Sequence, residues 1–83
     1  MNNNEEIRIA LLGIMVKDKS EISRLNELLS EYGEYIIGRM GLPHCKDGVN
    51  LISVAMEAPM PVINGLSGKI GRLNGITSKV LTN

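Results

Sequence analysis

The chain has 83 residues (9.1 kDa), with nine basic and nine acidic side chains and no net charge. Its pI near 6.6 excludes the basic stripe, with a pI above about 9, by which proteins grip nucleic acid. The one cysteine, Cys45, excludes an internal disulfide and any tetrahedral thiolate zinc or cysteine-ligated iron–sulfur site supplied by this chain alone.

A chain this short is expected to form one domain, residues 1–83, whose stability is on the order of 4–12 kcal/mol at about 0.05–0.15 kcal/mol per residue. Met1 to Glu5 form a polar, flexible tail in this reading. The sequence offers no charged apolar leader and no run of about 18 apolar residues, so neither export nor a membrane span is expected. A lone thiol fits a reducing, cytoplasmic setting.

From Ile7 to Val16 (IRIALLGIMV) the chain is apolar in both alternating sets. Ile7, Ile9, Leu11 and Met15 share one side of a strand; Ala10, Leu12, Ile14 and Val16 share the other. Such a strand is built to be covered on both faces. The period then changes: Ile22, Leu25, Leu28, Leu29 and Tyr32 recur at three and four, which predicts a helix over 20–32. Asp18 or Ser20 is its cap, Glu21 favours its dipole, and Gly33 is placed where a helix C-cap takes positive φ.

Residues 34–42 and 49–57 read as two further strands, joined by Pro43 to Gly48 (PHCKDG), whose Asp-Gly ending signals a hairpin. Ile52, Val54 and Met56 alternate there with Leu51, Ser53 and Ala55. Pro59 and Pro61 then open a second helix with Val62, Ile63, Leu66, Ile70 and Leu73 on one stripe. Gly65, Gly68 and Gly71 lie inside it, each costing about 1 kcal/mol against alanine, and are read as sites of close packing. Asn74-Gly75 ends that helix, and a last strand runs over 76–81. The order βαββαβ predicts an α+β, ferredoxin-like fold: a four-stranded antiparallel sheet with two helices on one face. The other face stays bare within one copy, so another copy is expected to cover it.

Candidate chemistry is sparse. His44, the only histidine, adjoins Cys45 on a turn, where neither is placed to activate the other. As metal ligands they need Asp47 or a second subunit to complete a set, so a plain polar hairpin tip is expected and no metal residue is assigned. Glu27, Glu31 and Arg24 fall on the wet face of the first helix. Gly65 to Gly71 (GLSGKIG) lacks the phosphate-loop spacing, with Ile70 where a Ser or Thr would hold magnesium. The first and third strands hold no aromatic on which RNA bases would stack. Arg39 and Lys46 are candidates for holding a small anion, with an exposed salt bridge the plainer role for each. No catalytic residues and no cofactor are expected, and hence no enzyme.

Two segments carry a family resemblance: Ile37 to Val54 (IGRMGLPHCKDGVNLISV) and Leu66 to Val80 (LSGKIGRLNGITSKV). Their telling pieces are Ile37-Gly38-Arg39-Met40-Gly41, Gly48-Val49 and Gly68-Lys69-Ile70-Gly71. In these the chain resembles the iron-only hydrogenase system regulator family, found with hydrogenase maturation genes. The resemblance implies an ACT-like fold, similar to the C-terminal regulatory domain of the nickel-responsive repressor. It implies a homo-oligomer, dimer or tetramer, that works as a ligand-sensing or regulatory domain without its own DNA-binding module. A small-molecule effector between subunits is the first implied partner, with Gly38, Gly41 and Gly48 allowing close backbone approach. The alternative is an interaction module for a hydrogenase maturation protein. Direct nucleic-acid binding is not expected.

Overall fold

The apolar run Ile7–Val16 forms β1 in a computed structural model that describes residues 6–83; the expected tail, 1–5, lies outside the described residues. Helix α1 (Ile22–Glu31) and strands β2 (Ile36–Leu42) and β3 (Asn50–Pro59) follow, then α2 (Met60–Gly71) and β4 (Ile76–Thr82). The sheet order is β2-β3-β1-β4 with antiparallel neighbours throughout, the ferredoxin-like arrangement that the element order predicts.

Alternation in the two central strands sets the layers. Ala10, Leu12, Ile14 and Val16 of β1 and Ile52, Val54, Met56 and Ala58 of β3 are buried under the helices. They meet Leu25 and Leu29 of α1 and Ile63, Leu66 and Ile70 of α2. No aromatic enters this buried set and no polar side chain is buried in it.

The first helix starts with its stripe at Ile22, two residues later than expected, because a 3-10 turn at Lys19–Glu21 precedes it. Asp18 caps that turn, accepting from the Ser20 hydroxyl at 2.6 Å and the Ser20 N–H at 3.0 Å. The hydroxyl bond first, and the backbone bond second, hold the Asp18 carboxyl below its ordinary value of 3.8. Both bonds favour the charged form, so their contribution is present above the ordinary value and is lost as pH falls through the lowered folded-state value. In Tm-against-pH curves, Asp18→Asn is expected to show a shallower acid fall than the wild type. Superimposable curves would contradict the cap.

Gly33 does not take the left-handed conformation; positive φ among the glycines belongs to Gly48 and Gly75. The chain leaves α1 instead through a second 3-10 turn, Gly33–Tyr35, which tightens the exit and delays β2 to Ile36. Of the three α2 glycines only Gly65 meets the close-packing expectation. A Cβ on Gly68 or Gly71 would meet no heavy atom within 4 Å, and one on Gly65 would meet the Tyr32 hydroxyl at 3.3 Å. Exposed Gly68 therefore weakens α2 without a packing return, and Gly68→Ala is expected to stabilise by about 0.5–1 kcal/mol. A lowered urea midpoint would show that the glycine is needed.

Candidate functional site

The β2–β3 turn is held by local bonds: Cys45 N–H to Val49 O at 2.8 Å, Gly48 N–H to Cys45 O at 3.0 Å, and His44 N–H to Asn50 Oδ1 at 3.1 Å. His44, Asp47 and Gly48 all have φ between 59° and 75°, so the Asp-Gly turn signal is realised with a left-handed non-glycine residue at two places. The Cys45 thiol donates to the Leu42 carbonyl at 3.3 Å, and the Lys19 ammonium sits 3.4 Å from His44 Nδ1. An ammonium there competes for the lone pair that a metal would use. Among the described residues no three His, Cys, Asp or Glu side chains gather closely enough to hold a metal ion.

Arg39 lies on the helix side of β2, paired with Val54, and its guanidinium donates to Asn26 Oδ1 on α1 at 2.7 Å. The salt bridge suggested for it does not form: no carboxylate among the described residues is within ion-pair reach of Arg39. The α1–β2 packing brings an amide oxygen to it instead. Arg39, Asn26, Gly41, Pro43 and Asn50 line a recess of about 210 Å³. Lys46 stands apart from it, exposed in the turn. Arg24, Glu27 and Glu31 line a separate groove of about 300 Å³ between the helices, with Lys69 and Arg72. Lys69 Nζ is spent on the Tyr32 ring, 5.2 Å from its centroid.

The bare face of the sheet carries most of the exposed large apolar side chains among the described residues. Register aligns it in rows: Leu42, Leu51, Met15 and Thr77; Met40, Ser53, Gly13 and Lys79; Gly38, Ala55, Leu11 and Leu81. Ile9 and Glu57 form a further row, and Ile7 pairs with Pro59. Ile7, Ile9, Leu11, Met15, Met40 and Leu81 are each 42–70% exposed. This is far more contiguous apolar surface than scattered exposure produces. Two hollows indent it, of about 340 Å³ around Gly13 and Met15 and about 360 Å³ beside Ile9, Leu11 and Leu81. Along the neighbouring edge, a Cβ on Gly38, Gly41 or Gly48 would touch nothing within 4 Å, so the backbone there is open to approach. Two-sided apolarity in β1 pointed to this face. Its two charges, Glu57 and Lys79, carry no sequence signal, because only register places them on one surface.

No helix of the described residues is long and apolar enough to cross a membrane. The TM1266-like family, described as "Iron-only hydrogenase system regulator, putative", matches residues 8–80. The solved structure of the uncharacterized protein TM1266 from Thermotoga maritima superposes with a TM-score of 0.87 at 29% identity, over 93% of this chain and 98% of that one. A homoserine dehydrogenase from Thiobacillus denitrificans matches at 0.66 and 15% identity, over 99% of this chain and 18% of the enzyme. The nitrogen regulatory PII-like protein CPII from Thiomonas intermedia K12, solved with ADP, AMP and bicarbonate, matches at 0.56 and 12% identity, over 94% of this chain and 98% of that one. At such identities these last two share the fold. No curated protein matches the chain.

Proposed function

The chain belongs to the TM1266-like family of iron-only hydrogenase system regulators, and from that premise we propose that it is a homo-oligomeric regulatory domain of that system which senses a small ligand in the cytoplasm. The observation that carries this reading is the bare apolar face, bounded by an edge strand whose Gly38 and Gly41 leave the backbone uncovered. A contiguous apolar surface of this kind marks a place where a protein meets a partner or a ligand. Coverage by a second copy places two glycine-bordered edges close together, where backbone amides are free to hold a small effector. Catalysis has no comparable support: His44 is engaged with Lys19, and no nucleophile–base pair is built around it. Without a basic surface on the chain, regulation runs through a protein rather than through DNA.

Thermal unfolding in the presence of amino acids, nucleotides or divalent metal ions at millimolar levels tests the sensing. A ligand at one hundred times its Kd adds about 2.7 kcal/mol to the folded state. That raises Tm by about 10–20 °C for a domain of this size. A concentration-dependent rise with one ligand class is the expected result. A transition unmoved by all three overturns the sensing and leaves the chain an interaction module, for which binding to a hydrogenase maturation protein is the corresponding assay.

A further inference from the structure

We propose that the bare face binds a second copy of this chain through a two-fold contact in which Glu57 of each copy meets Lys79 of the other. The proposal rests on the reading of the protein as an oligomer and names the surface it uses.

Glu57 and Lys79 are the two charged positions in the registered rows of that face, they are exposed, and neither has an ion-pair partner among the described residues. Register puts Glu57 opposite Ile9 and Lys79 opposite Gly13. The two charges are thus separated by two strand spacings across the sheet and four residues along it, about 10 Å by about 13 Å. Their midpoint is Leu11, on the central strand β1.

A face that packs against itself needs a two-fold axis lying in the plane of contact. An axis through Leu11, perpendicular to the Glu57–Lys79 line, stacks Leu11 on Leu11 and brings both opposite-charge pairs together at once. Strands of the two sheets then cross at about 70°, nearer the orthogonal class of sheet packing than the aligned one.

Four strands about 4.8 Å apart make the face about 19 Å wide. Two such faces crossed at about 70° meet over on the order of 400 Å² per copy, the size of a weak, reversible contact. Gly13 leaves a hollow of about 340 Å³ that nothing in its own chain fills, so side chains of the second copy have room to enter. One negative and one positive charge on the same apolar face make that face complementary in charge to itself, which a second copy satisfies.

The test is a charge-swap cycle read as the dimer dissociation constant by sedimentation of the full chain. Glu57→Lys and Lys79→Glu alone are each expected to weaken the dimer about tenfold or more, since each puts like charges together twice. The double variant is expected to return close to the wild type, and Leu11→Lys to give monomers. All three side chains replaced are exposed in the protomer, and circular dichroism checks that each variant folds. Additive losses or no losses, with the wild type still oligomeric, overturn this surface and leave the oligomer reading standing. A monomeric wild type overturns both.

Discussion

Gly75→Ala is expected to remove about 2–4 kcal/mol of stability, a large part of the total for a chain of this size. Gly75 has φ +69°, where an L side chain is strained, and a Cβ there would stand 2.5 Å from Asp18 Cβ and 3.1 Å from the Asp18 backbone nitrogen. The Asp18 Cβ is placed by its own backbone, which also stands in the way, so neither can swing aside. Moving Gly75 would also pull its carbonyl from the Lys17 N–H, which it accepts at 2.7 Å. The end of β1 and the start of β4 would separate together. Gly48→Ala is the control: its φ is +75°, yet the added carbon meets nothing, so its cost is the conformational one alone, about 1 kcal/mol. Urea midpoints at unchanged m-value separate the two. Equal losses would mean that the collision with Asp18 contributes nothing.

The neighbours Leu11 and Leu12 give the other large contrast. Leu12 is fully buried between Val54 and Val80 in register, and Leu12→Ala is expected to cost about 3–5 kcal/mol from lost transfer energy and the cavity left behind. That loss appears at every protein concentration. Leu11 is 42% exposed on the bare face, so Leu11→Ala is expected to be nearly silent in a dilute monomer. It weakens only the concentration-dependent part of the stability, which mass action ties to assembly. Chemical denaturation at two protein concentrations reads both. A concentration-independent loss at Leu11 comparable to that at Leu12 would mean that the two faces are covered alike within one chain.

Those two leucines also mark how far residue patterns reach. Period-two alternation in β1 and β3 groups the buried side chains of the sheet centre on one face of each strand, because burial on one face leaves no freedom of register; buried Ala58 lies past the strand read over 49–57. The α2 stripe holds for the same reason: Ile63, Leu66 and Ile70 are all buried. Errors gather where side-chain pattern says little about the backbone. Gly33 and Gly75 look alike in sequence, each following a helix, but only Gly75 takes positive φ. The exit from α1 is settled by the 3-10 turn that Tyr32 and Tyr35 pack around, their rings 6.5 Å apart. The α2 glycines read as packing contacts because close approach is the usual reason to keep glycine in a helix, whereas Gly68 faces solvent.

Of the candidate site, the two-sided character of β1 was legible, and with it the need for a cover. The Arg39–Asn26 bond and the Glu57–Lys79 arrangement were not, since each joins residues far apart in the chain through strand pairing and helix placement that composition and spacing do not encode. The His44–Cys45 pair shows the reverse. Adjacent ligating residue types stand out in a sequence, yet the turn points the thiol at a carbonyl and sets an ammonium beside the imidazole.

A native mass spectrum of the purified chain at low micromolar concentration decides the account. Dimers or tetramers are predicted, because the bare face is a contiguous apolar surface of the kind that meets a partner, and extra mass per subunit would reveal the class of ligand carried. A bare monomer would contradict the account and assign the cover of that face to a different protein.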